Sequence, residues 1–122
     1  MKQARLNNRE FGTHGENLAV EFLENLGMEI IERNWRVREG ELDIVARDGS
    51  NTIHFCEVKT RRSISAGDPL ESISVQKARK LQQLALLWLL NSGQWGCEYQ
   101  IDCMGIVVGS DSHTIDFRPD VL

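Results

Sequence analysis

The run FCEVKTR, Phe55 to Arg61, places Glu57 and Lys59 two residues apart within an apolar, strand-like stretch. Alternation along a strand puts these two on one face and Cys56 and Val58 on the other. A second carboxylate, Asp43, stands fourteen residues upstream of Glu57 in ELDIVAR. There Leu42, Ile44 and Ala46 are expected on one face and Asp43 with Glu41 on the other. Asp48-Gly49 between the runs is a hairpin signal, so the two strands pair antiparallel. Three charges converging at the centre of a sheet are costly unless they neutralise one another or hold a cation. Two carboxylates beside a lysine suit phosphodiester hydrolysis. Mg²⁺ is held by few carboxylates plus water and substrate phosphate, and it lowers the pKa of bound water. The ammonium orients the attacking water or offsets developing charge.

Other readings of the same residues stay open. Glu-x-Lys is expected by chance in roughly a third of chains of this size and ordinary composition. An ion pair, with Lys59 reaching toward water, also accounts for it. Glu16 adds a third carboxylate. Ala19, Val20 and Leu23 follow it at helical spacing, so it heads a buried stripe and points toward the sheet, where it joins the metal site. Alternatively, Thr13-His14-Gly15-Glu16 fits a capping box with Thr13 as N-cap. His14 reads as a bystander, and His54, His113 and Asp102 carry no assigned role.

These residues must be positioned by the elements around them. Gly15 to Gly27 reads as an amphipathic helix with Ala19, Phe22, Leu23 and Leu26 as its apolar stripe. MEIIERNWRVR is a strand with an irregular second half, and TIHFCEVKT returns against ELDIVAR. RRSISAGDP is a polar loop, after which Ser74 caps a helix from about Val75 to Leu90. Its first part is basic, and LQQLALLWLL is apolar at eight of ten positions, which calls for cover on more than one side or pairing with a second copy. Strands at Tyr99 to Val108 and Thr114 to Phe117 complete the order α-β-β-β-α-β-β, an α/β mixed sheet flanked by helices.

With 122 residues the chain is one domain. No apolar stretch is long enough to span a bilayer, and the N-terminus lacks the apolar core of a secretory signal. Three cysteines without CxxC spacing fit reduced thiols in the cytoplasm. The net charge of −4 argues against a nucleic-acid partner, yet it is unevenly spread. Arg33 to Lys80 holds ten Lys/Arg against seven Asp/Glu, or +3, while the remainder holds four against eleven, or −7.

The blocks GTHGENLAVEFLENLG, RNWR, GELDIVARDG, FCEVKTR and GDPLESISVQKARKL, in this order, resemble the YraN-type family of uncharacterised small bacterial proteins, from about Gly12 to Asp102. That family is similar to the PD-(D/E)xK nuclease superfamily, and within it to archaeal Holliday-junction resolvases, which are homodimers. The resemblance implies a restriction-endonuclease-like fold. It matches Asp43 and Glu57 to the metal-binding acids, Lys59 to the catalytic lysine, and Glu16 to the helix glutamate of resolvase-like members. Leu42 stands where proline is common, and Gln76 is followed four residues later by Lys80 rather than the tyrosine of RecB-like exonucleases. The expected activity is therefore a Mg²⁺- or Mn²⁺-dependent DNA endonuclease selective for branched structure, with Arg61, Arg62, Lys77, Arg79 and Lys80 on phosphates. The alternative is a nucleic-acid-binding module that keeps the fold without turnover. A third reading is a scaffold whose main surface is the LALLWLL helix.

Overall fold

The computed structural model describes residues 6–63 and 73–122. Helix α1 (Asn8–Asn25) is followed by strands β1 (Glu29–Val37), β2 (Gly40–Arg47) and β3 (Ile53–Arg61). Helix α2 (Val75–Asn91), β4 (Tyr99–Val108) and β5 (His113–Arg118) complete the chain. The strands form one sheet in the order β1-β2-β3-β4-β5. Every neighbouring pair is antiparallel except β3 and β4, which run parallel because α2 carries the chain back between them. The expected α/β class and element order hold.

Each helix covers one face of the sheet. Leu81, Leu84, Ala85, Trp88 and Leu89 of α2 pack on Leu42, Val45, Ile53, Phe55 and Ile101. Ala19 and Leu23 of α1 pack on Ile44, Cys56, Met104 and Ile106. The indole N–H of Trp88 donates to Glu32 of β1 at 2.9 Å, so the buried ring keeps its polar atom satisfied. One sheet face is all the cover that α2 receives within the described chain; Leu86 and Leu90 stay exposed. Cys56 and Cys103 are buried and none of the three cysteines is in a disulfide. Burial pushes both thiols up, that of Cys103 to about 11, which makes them poor nucleophiles.

Two expectations are corrected and one is located. Helix α1 starts at Asn8, not near Gly15: Asn7 is its N-cap, accepting the Glu10 N–H at 2.8 Å, and Thr13 lies inside the helix. Glu16 is therefore released from any capping duty. The irregularity expected in the second half of β1 is Asn34, left-handed at φ 52°, in a strand that still pairs to Val37; a register shift between Ile30 and Glu32 lies in its first half. Most important, Leu42 and Ile44 do not share a face; they enter opposite core clusters, so the alternation of β2 breaks at Asp43. The expected loop from Arg61 to Pro69 falls largely outside the described residues, since Arg61 closes β3.

Close approach of α1 to β3 depends on Gly15. A methyl group there would fall 2.6 Å from Thr60 Cγ2 and 2.8 Å from Thr60 Cβ, and a β-branched side chain has little room to rotate away. Overpacking of about 1–3 kcal/mol exceeds the roughly 1 kcal/mol that alanine adds to a helix interior. Gly15→Ala is expected to lower the urea midpoint with the slope unchanged, and a raised midpoint would contradict this packing.

At the hairpin end of the sheet, Asp48 closes the turn by accepting the N–H groups of Ser50 and Thr52. Asn51, rather than Gly49, takes the left-handed conformation there, with φ 67°. His54 is buried between two carboxylates: Nδ1 lies 2.7 Å from Asp102 and Nε2 lies 2.6 Å from Asp48. Asp102 also accepts from Gln100 at 2.8 Å and from the Asp120 N–H at 2.9 Å. This network joins β3, β4, the turn and the C-terminal segment.

Candidate active site

The pairing of β2 with β3 runs from Arg47 and Ile53 to Ile44 and Cys56, and there it stops. Beyond that point the Val58 N–H donates to Asp43 Oδ2 at 2.9 Å instead of to a strand carbonyl. Lys59, Thr60 and Arg61 remain paired with Gly105, Ile106 and Val107 of β4. The side of β3 toward β2 is thus open, and the gap forms a cavity of about 960 Å³. Glu16 and Phe11 of α1 line it with Asn34, Arg36, Glu41, Asp43, Lys59, Arg61 and Arg62. The break in alternation at Asp43 is what turns its carboxylate into this gap.

Asp43 is half-buried and its carboxyl is pushed up to about 7. Burial is the first cause and the charge of Glu57 the second; Glu16 and Glu41 add to it, and the Val58 N–H opposes it. Its Oδ1 has no hydrogen-bond partner among the described residues. Glu57 has a side chain only 7 % exposed, and its Oε1 meets Lys77 of α2 at 3.1 Å and Lys59 at 3.6 Å. The two side chains expected on one face of β3 are indeed together, and α2 contributes a second ammonium. Glu16 Oε1 accepts from Arg33 Nε at 3.1 Å and from Asn34 Nδ2 at 2.8 Å, with Arg33 Nη2 also 3.0 Å away.

Glu16, Asp43, Lys59, Arg61 and Arg62 therefore share one cavity, whereas Glu57 does not line it and is held by Lys59 and Lys77. Arg62 is engaged elsewhere: it donates to the Leu6 carbonyl at 2.8 Å and lies 4.0 Å over the Phe11 ring, fastening the start of α1. Lys77 serves Glu57, while Arg79 and Lys80 are exposed on α2 and do not line the cavity. Among the described residues no three His, Cys, Asp or Glu groups converge closely enough to enclose a metal ion. The donors nevertheless fit a hard divalent cation that keeps water ligands: Asp43, half-buried and driven toward protonation first by burial and then by the charge of Glu57, together with the buried Glu57 itself. Sequence reasoning missed Arg33, Asn34, Arg36 and Glu41. Its available signal was RNWR, a polar pair interrupting an alternating strand.

Residues 15–107 match the uncharacterised protein family UPF0102. The chain belongs to that family. It is the YraN-type family expected from the sequence blocks, and the matched span carries Glu16, Arg33, Asn34, Asp43, Glu57 and Lys59. A UPF0102 protein of Caldicellulosiruptor saccharolyticus is 41% identical over 113 residues, 93% of this chain and 95% of that one. One from Rhodococcus jostii is 42% identical over 102 residues, 84% and 86% of the two chains. One from Acidothermus cellulolyticus is 59% identical over 78 residues, 64% of this chain and 58% of its own length. Among solved structures, Pyrococcus furiosus SfsA in complex with Ca²⁺ aligns at TM-score 0.35 and 18% identity, over 96% of this chain and 65% of that one. A likeness of that strength carries no inference about a UPF0102 site. No helix among the described residues is long and apolar enough to cross a membrane.

Proposed function

We propose that this protein is a Mg²⁺- or Mn²⁺-dependent DNA endonuclease of the cytoplasm, selective for branched structure, working at the cavity between β2, β3 and α1. The observation that carries the reading is Asp43, a carboxyl raised to about 7 by burial and by Glu57 in a cavity that also holds Lys59 and two further acids. A divalent cation held by Asp43 and Glu57, with Glu16 as a further oxygen donor, would supply water of lowered pKa and offset charge on the phosphoryl oxygens. Lys59 orients the attacking water and supports its developing hydroxide. Oε2 of Glu16, which has no partner among the described residues, would be the oxygen that reaches that cation. Arg36 and Arg61 position the phosphates at the cavity wall. The water oxygen bonds to phosphorus, one ester P–O bond breaks, and a proton ends on the leaving alcohol. Two copies of the chain would match the two strands to be cut in a branched substrate.

One observation favours a second reading, a nucleic-acid-binding module without turnover: Glu57 is already neutralised by Lys77 and Lys59. Labelled branched and linear DNA incubated with Mn²⁺ separates the two. The nuclease reading expects cleavage that falls by about 10²–10³ in Lys59→Ala, the usual effect of removing one electrostatic stabiliser. If wild type cuts no better than that variant, turnover is lost and only salt-sensitive binding remains to be explained.

A further inference from the structure

Asn34 is a non-glycine residue at φ 52°, in the middle of β1. Left-handed backbone inside a strand is unfavourable, though asparagine tolerates it better than most residues. Its neighbours Arg33 and Trp35 pair with Ile44 and Leu42, so Asn34 stands across from Asp43, where β2 also loses its alternation. The consequence for the side chains is specific. Asn34 Nδ2 donates to Glu16 Oε1 at 2.8 Å, and Arg33 donates to the same oxygen through Nε at 3.1 Å. Arg33 Nη2 reaches the neighbouring helical residue, Asn17 Oδ1, at 2.6 Å. The Asn34 amide and Arg33 Nε thus converge on one oxygen of Glu16, and Oε2 is left without a partner among the described residues. Because Glu16, Asn34 and Asp43 line the same cavity, that second oxygen is the one available to it.

We infer that Arg33 and Asn34 form a positioning clamp, which fixes the Glu16 carboxylate by one oxygen so that the other is presented to the cation and water beside Asp43. This rests on the nuclease reading above. Neither clamp residue touches the reacting atoms; both act through Glu16, as outer-shell partners of metal sites do. The left-handed Asn34 is the backbone distortion that brings its amide to α1.

Asn34→Gly tests the clamp, because glycine keeps the left-handed backbone while removing the amide. The apo variant is expected to melt at or above the wild-type temperature. Its Mn²⁺ affinity by calorimetry is expected to fall about tenfold, and its kcat on labelled branched DNA about 10–100-fold with little change in KM, the range seen for outer-shell partners. In a Glu16→Gln background the same substitution should add almost nothing, since the two act as one unit. The clamp is overturned if Asn34→Gly binds Mn²⁺ and cuts like wild type, or if its effect is additive with Glu16→Gln. A wild type that binds no Mn²⁺ overturns the underlying nuclease reading, and the clamp falls with it.

Discussion

At pH 8 and without divalent metal, Asp43→Asn is expected to be more stable than the wild-type protein, by on the order of 2–4 kcal/mol, from a folded-state pKa about three units above the ordinary carboxyl value. The native carboxyl titrates at about 7 and the unfolded one near 3.8. Between these values the native state binds more protons than the unfolded state, so stability falls as pH rises through the window. Burial with Glu57, Glu16 and Glu41 nearby penalises the anion, and the amide carries no charge to penalise. Asparagine can still accept the Val58 N–H through its carbonyl oxygen, so the link between β2 and β3 survives. Denaturant titrations of both proteins at pH 4 and pH 8 measure the effect. The gap should open with rising pH, and a variant no more stable at pH 8 than at pH 4, relative to wild type, would remove the electrostatic strain on which the site reading depends. A carboxylate that weakens its own fold is what the proposed cation site would require.

Asp102→Ala is expected to cost about 3–5 kcal/mol, the range for removing one partner of a buried ion pair. Asp102 is wholly buried and serves three donors: His54, the Gln100 amide and the Asp120 N–H. Carboxylates only accept, so a ring with Asp102 on one nitrogen and Asp48 on the other is held as imidazolium. The His54 pKa is accordingly raised, first by the bond its ring donates to Asp102, against the opposing effect of burial. A raised histidine contributes fully below its unfolded value of 6.5, and that contribution is lost as pH climbs through the folded value. Asp48 is lowered, chiefly by its bond to His54, and contributes above 3.8 until pH falls through its folded value. The network is therefore at full strength between about pH 4 and 6.5, and urea unfolding at pH 6 is the proper comparison. A loss below about 1 kcal/mol, the scale of an ordinary hydrogen bond, would mean that the network relaxes around the missing group.

What was legible in the sequence follows periodicity. The apolar spacing of α1 and α2, the Ser74 cap and the alternation of β3 were all readable because each depends on residues within a few positions of one another. Ser74 does accept the Lys77 N–H, at 3.0 Å. The start of α1 was missed because its first two turns, Asn8 to Gly15, carry no apolar stripe; Asn7 and Arg62 hold them instead. The face change at Asp43 was hidden too, since ELDIVAR alternates well on paper, and only the distorted Asn34 opposite it shows why the pattern fails. His54 and Asp102 lie 48 residues apart and meet only because β3 and β4 run parallel. Each sits within an apolar run, and a polar residue in such a run commonly has a partner on the next strand. Glu16, Asp43, Glu57 and Lys59 were read from residue type and family likeness. Their actual partners, Arg33, Asn34 and Lys77, were not, because these contacts cross between elements whose packing no local pattern encodes.

The most direct test of the site is calorimetric titration of the wild-type protein with Mn²⁺ at pH 6.5, repeated in buffers of different ionisation enthalpy. Asp43 carries a proton for much of the time at that pH and must release it to bind a cation. One bound ion accompanied by proton release is expected, the release fading by pH 8.5, with binding abolished in both Asp43→Asn and Glu57→Gln, as the proposed shared site requires. Binding that is indifferent to these substitutions, or no binding by the wild type, would contradict it.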